Sequence, residues 1–154
     1  MKKETNESLQ QLPWQERGGL TGHWLKRAYL VMRRQLEGEL RQLGLTHPQW
    51  AALGQLYYRP GMTHSQLEDA LMIEAPSVTS LINGMEKKGW VKRRQHPEDA
   101  RIKQIFITEA GKKVIEPALR LGEAGEEQLR QVIPAEELEQ VKKTLRKIVQ
   151  LYES

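Results

Sequence analysis

Apolar residues recur at spacings of three and four along Leu25, Ala28, Met32, Leu36, Leu40 and Leu43. That period predicts one long amphipathic helix ending near Gly44. "THPQ" follows, with Thr46 and Gln49 at capping-box spacing and Pro48 suited to a first helical turn. Trp50, Leu53, Leu56 and Tyr57 supply the buried stripe of that second helix, and "RPG" at 59–61 ends it. "THSQ" at 63–66 repeats the capping box ahead of Leu67, Ala70 and Leu71, a short third helix. After a break at Met72 and Ile73, Val78, Leu81, Ile82 and Met85 mark a fourth helix, with Pro76 in its first turn and Gly89 as its stop.

The period then changes. "WVKRR" and "RIKQIFI" are β-type runs joined by "QHPEDA", where Pro97 and two acids mark a turn, so a hairpin is expected. Thr108 caps what reads as one long helix striped by Val114, Ala118, Leu121, Gly125, Leu129 and Val132 and bent at Pro117. After Pro134, Leu138, Val141, Leu145, Ile148 and Tyr152 predict a last helix. The expected fold is mainly α with a small β-hairpin wing. Residues 1–17 read as a polar arm, 18–45 as a dimerisation helix, 46–108 as a winged helix-turn-helix lobe and 109–154 as further dimerisation helices. The middle lobe can bury its own stripes, whereas the flanking helices carry long apolar seams that two copies of the chain would cover for each other.

Charge sharpens this picture. The 154-residue chain has a formal net charge of +4, which is unremarkable until it is located. Between Lys87 and Lys103 lie seven of the 24 basic residues and two of the 20 acids, so the rest of the chain is close to neutral. A basic patch on a neutral body is the electrostatic footprint of a polyanion binder. With no cysteine in the sequence, disulfides, thiolate metal sites and thiol redox sensing are excluded. No apolar run reaches membrane-span length and the N-terminus has no signal-peptide pattern, so a cytoplasmic location is expected.

The fourth helix carries Ser77, Thr79, Ser80 and Asn83 between its apolar positions. Short polar arms let a helix lie close to base edges in a major groove. Hydroxyls there meet bases or phosphates, the Thr79 methyl suits thymine, and Asn83 can make a two-point contact with adenine. An exposed helix face is also polar for no reason beyond solvation, and both readings fit this face alone. The hairpin adds weight to the first. Lys87, Lys92, Arg93, Arg94 and Lys103 would meet DNA backbone, and Arg101 would enter the minor groove, oriented by Asp99. Against this, Asp99 and Arg101 also read as an ordinary exposed ion pair.

Enzyme readings fare poorly. "GKK" at 111–113 lacks the upstream glycine of a phosphate loop, since position 106 is Phe, and "GGLTG" at 18–22 follows no strand. The four histidines are scattered and none form an i, i+4 pair, so no metal or other cofactor is expected. A winged helix used as a protein- or RNA-binding module is the alternative. Double-stranded RNA hides its major groove, which favours DNA.

The run "EAPSVTSLINGMEKKGWVKRRQHPEDARIKQIFITEAGKKV" resembles the MarR family of bacterial winged-helix regulators, in the branch that includes SlyA. "GLTHPQWAALGQL" is similar to that family's second helix, and the match covers about residues 20–152. The resemblance implies a dimer joined through its N- and C-terminal helices and a pseudo-palindromic operator. It also implies repression relieved by a small, often phenolic, effector held where the first two helices meet the DNA-binding lobe. Trp24, Lys26, Arg27, His47 and Trp50 are the candidate effector contacts, although Trp50 is also spaced for plain core packing. One departure stands out. Many relatives carry an arginine on the reading face, yet Ser77 to Asn83 holds no base, so hydroxyls, water and DNA shape are expected to carry specificity.

Overall fold

The structure, a computed structural model, describes residues 20–154. The expected polar arm at 1–17 and the first glycines of "GGLTG" lie outside the described residues. The elements in order are α1 (Thr21–Gln42), α2 (His47–Tyr58), β1 (Met62–Thr63), α3 (His64–Leu71), α4 (Ala75–Lys87), β2 (Val91–Gln95) and β3 (Lys103–Ile107). They are followed by α5 (Glu109–Ile115), a 3-10 turn (Glu116–Ala118), α6 (Leu121–Val132) and α7 (Ala135–Glu153). The chain divides into two compact units between Gln35 and Leu36, within α1.

The expected caps are present. Thr46 Oγ1 accepts from Gln49 N at 3.3 Å while Gln49 Oε1 accepts from Thr46 N at 3.0 Å. Thr63 and Gln66 do the same for α3 at 3.2 and 2.9 Å. Each box satisfies two backbone donors that a helix start leaves open. Gly44 and Gly89 adopt positive φ where α1 and α4 end, a conformation that costs glycine little.

The core of the second unit is built from Leu53 and Leu56 of α2, Leu67 of α3, Val78, Ile82 and Met85 of α4, Ile105 of β3 and Ile115 of α5, each fully or almost fully buried. The lobe therefore closes around the buried stripes of α2, α3 and α4 and one face of the sheet.

Two features differ from the sequence expectation. The sheet has three antiparallel strands in the order β1-β3-β2, not two. Met62 and Thr63 pair with Ile105 and Gln104, and two residues are too few to show a period. The expected bent helix after Thr108 is broken. Pro117 has no N–H and its ring crowds the carbonyl four residues earlier, so α5 stops at Ile115 and α6 starts afresh at Leu121. Trp50 donates its indole N–H to the Ala118 carbonyl at 2.8 Å, fastening the break onto α2. Lys142 of α7 reaches Glu126 of α6 at 2.5 Å and Glu139 at 3.1 Å, which draws α7 onto α6. Both ions are favoured there: Lys142 holds Glu126 below its ordinary pKa, and Glu126 raises that of Lys142.

One backbone position is strained. Met72 caps α3 at φ 54°, ψ 42°, in the left-handed region, and the residue is 88% exposed. A side chain there costs free energy that Asn tolerates better, and no packing is lost with Met72. Met72→Asn is expected to raise stability by about 0.5–1 kcal/mol, read as a higher urea midpoint at unchanged slope.

Candidate nucleic-acid interface

α4 presents a short, open face beside the wing. Val78, Ile82 and Met85 are buried, so Ser77, Ser80, Asn83 and Lys87 on the other side of the helix are exposed. Pro76 starts the helix at a position where a missing N–H costs nothing. Thr79 is exposed as well, but its hydroxyl donates to the Ala75 carbonyl at 3.0 Å. Its proton is thereby spent within the helix, leaving a methyl and an acceptor for a partner.

The strands sort the basic residues by their period of two. Val91 is buried, and Arg93, two residues on, shares its side of the sheet and lies opposite Ile105. Arg93 therefore turns back onto α4. Its guanidinium meets Glu86 Oε1 at 2.9 Å and Asn83 Oδ1 at 2.5 Å. Lys92 and Arg94 project from the opposite side of the sheet, and the Arg94 guanidinium stands 5.1 Å from the Phe106 ring centre. Lys88 stands 4.8 Å over Trp90. Lys103, at the start of β3, is exposed.

The wing tip is organised around Asp99. Its Oδ1 accepts from both the backbone N–H and the Nε of Arg101, and its Oδ2 from Arg101 NH2, all at 3.0 Å. His96 Nδ1 accepts from Glu98 N at 3.1 Å, and Ile102 N bonds Asp99 O at 3.0 Å. The tip is thus a folded turn carrying an oriented guanidinium that is itself 90% exposed. The hydrogen bonds from Arg101 lower the Asp99 pKa below its ordinary value of 3.8. A depressed carboxyl pKa means that the contact is held above 3.8 and lost only as pH falls through the lower folded value. An NMR titration of the Asp99 carboxyl is expected to show its midpoint below 3.8, and Arg101→Ala to return it toward that value.

The lobe that carries this face, residues 45–103, matches the MarR family. The helix-turn-helix transcriptional regulator YwoH of Bacillus subtilis (strain 168) is 34% identical over 94 residues, which are 61% of this chain and 68% of that relative. The chain belongs to the MarR family. It is a winged-helix transcription regulator. Among solved structures, it superposes on Staphylococcus aureus MepR in complex with DNA with a TM-score of 0.79 at 27% identity, covering 85% of this chain and 97% of that one. A C80S mutant of Escherichia coli MarR complexed with operator DNA has the same fold, with a TM-score of 0.76 at 23% identity over 82% of this chain and 91% of that one.

The effector candidates of this MarR-family chain fall in two places. Trp24, Lys26 and Arg27 are exposed on the first turns of α1, with Arg27 5.8 Å from the Trp24 ring centre. His47 and Trp50 lie together on α2, with ring centres 5.6 Å apart. Trp50 spends its N–H on Ala118 and packs against Gly122, so its local role is to seat the break after α5. An open cleft of about 700 Å³ lies along α6, lined by Arg120, Glu123, Glu126 and Arg130 among others, and holds none of the five candidates. Sequence reasoning missed Glu86, the acidic partner of Arg93, and it grouped Arg93 with Lys92 and Arg94. Strand alternation from Val91 was the signal that separates them. Among the described residues, no three His, Asp or Glu cluster as metal ligands, and no helix is long and apolar enough to cross a membrane.

Proposed function

We propose that this MarR-family protein is a sequence-specific double-stranded DNA-binding regulator, a homodimeric repressor released by a small aromatic or phenolic effector in the cytoplasm. The observation that carries the reading is the pairing of an open α4 face with an oriented, solvent-facing Arg101 at the wing tip. α4 enters the major groove with Ser77, Thr79, Ser80 and Asn83 toward base edges. Arg101 enters the neighbouring minor groove, and Lys87, Lys92, Arg94 and Lys103 neutralise phosphates. DNA-bound MepR, at 27% identity, supports DNA as the partner.

The homodimer reading is supported by apolar side chains left exposed on each terminal helix: Trp24, Tyr29 and Met32 of α1, and Val141, Val149 and Tyr152 of α7. Effector release rests on the family, with Trp24, Lys26, Arg27, His47 and Trp50 offered as contacts. Placement in the SlyA-like branch rests on the run from Glu74 to Val114.

Selection from a random duplex library tests the reading. The expected product is a two-fold symmetric motif whose half-sites lie about one helical turn, roughly 10 base pairs, apart. A library that emerges unenriched contradicts specific recognition.

A further inference from the structure

Arg93 is the one base in the wing run that faces α4, and it meets two side chains there. One guanidinium nitrogen bonds Glu86 at 2.9 Å, and the other bonds Asn83 at 2.5 Å. A guanidinium has donors only, so the Asn83 atom beside it must be the amide oxygen. That contact settles an orientation otherwise ambiguous by half a turn. The oxygen keeps a second lone pair, so Arg93 fixes which way the amide faces and leaves one acceptor position and the NH2 donors for a partner in the groove. Arg93 is mostly covered, with 26% of its side chain exposed, and Glu86 supplies the counter-charge that keeps it in place. A two-point adenine contact needs the amide oxygen to receive the base N6–H as well as the NH2 to meet N7. Arg93 stands on the oxygen side.

We infer that Glu86 and Arg93 are positioning residues that fix the amide of Asn83, and with it the preference at the one base pair that Asn83 faces. The inference rests on the DNA-reading proposal above and deepens it. It also moves Arg93 from phosphate contact to specificity. Loss of a phosphate contact weakens binding evenly across sequences, whereas loss of a positioning residue changes the preference at one base pair.

The test is parallel selection from one random duplex library with wild type, Asn83→Ala, Arg93→Met and Glu86→Gln, each checked for a cooperative thermal transition. Asn83→Ala identifies the base pair that Asn83 faces, by loss of preference at that position alone. In Arg93→Met the preference at that position is expected to fall by about tenfold, with the rest of the motif retained. Glu86→Gln keeps an acceptor for Arg93 on an exposed side chain and is expected to relax the same position partly, which covers the case in which Arg93→Met does not fold. An Asn83→Ala motif identical to wild type overturns the inference. An unchanged preference there in the folded Arg93 variant overturns it, and Glu86→Gln decides by the same criterion if Arg93→Met does not fold. In all of these cases a wild-type motif is still recovered and the DNA-reading proposal stands. If wild type enriches nothing, both fall together.

Discussion

Gly111→Ala is expected to destabilise the protein by about 3 kcal/mol, the largest effect of any single substitution named here. A Cβ at Gly111 would lie 2.2 Å from the Trp90 carbonyl oxygen and 2.8 Å from Ile107 Cγ1. The carbonyl cannot swing aside. It accepts from Thr108 N at 2.9 Å, and Trp90 N is itself bonded to Met85 O at 3.0 Å. The clash must therefore lift the first turn of α5 away from the start of β2. That movement also disturbs the Thr108 cap, whose hydroxyl donates to Gly89 O at 2.6 Å and accepts from Gly111 N at 3.1 Å. For a chain of this size such a loss lowers the melting temperature by roughly 6–12 °C. Gly54→Ala is the contrasting control, because a Cβ there meets nothing within 4 Å in the middle of α2. It is expected to gain about 0.5–1 kcal/mol from helix propensity. Differential scanning calorimetry of the two variants shows whether close backbone approach, rather than glycine content, is what position 111 requires.

Arg101→Ala is expected to weaken binding to the selected duplex by about 1–3 kcal/mol, or roughly 5- to 150-fold. Two hydrogen bonds hold the guanidinium on Asp99, and a third, from the Arg101 backbone N–H, folds the turn beneath it. Arg101→Lys is expected to recover only part of the loss, because an ammonium cannot reproduce the two-pronged geometry with Asp99. Asp99→Ala keeps the positive charge but frees the side chain and loosens the turn. Its deficit should therefore be smaller than that of Arg101→Ala and greater than zero. Fluorescence anisotropy with a labelled duplex ranks the three. An Asp99→Ala protein that binds as wild type does would show that the turn and the guanidinium act independently.

What could be read from the amino-acid pattern follows from how local the causes are. The capping boxes at Thr46 and Thr63, Pro76 in the first turn of α4 and the stops at Gly44 and Gly89 involve residues three or four apart, and the structure has each of them. The β2–β3 wing was legible because two β-type runs flank a proline turn. β1 was not, since Met62 and Thr63 become a strand only through pairing with Ile105 and Gln104 more than forty residues away. Pro117 announced a disturbance, but whether it bends or breaks the helix is decided by tertiary partners, here Trp50 on the Ala118 carbonyl. The interface residues lie between these cases. The basic cluster was visible as composition, while the inward turn of Arg93 was encoded in strand alternation from Val91 and hidden by its two basic neighbours. Glu86 was hidden more deeply, because an acid in a basic run reads as solvated surface until its partner on another element is placed.

The most direct measurement is an equilibrium titration of the protein against the selected duplex and a shuffled duplex of the same composition, repeated across a salt series. The expected result is binding to the selected duplex at least about 10³-fold tighter than to the shuffled one. Affinity for both should fall linearly in log–log form with salt, because Lys and Arg side chains release counterions from phosphate. Equal affinity for the two duplexes at every salt concentration would contradict sequence-specific reading by α4 and the wing and leave only a polyanion-binding surface.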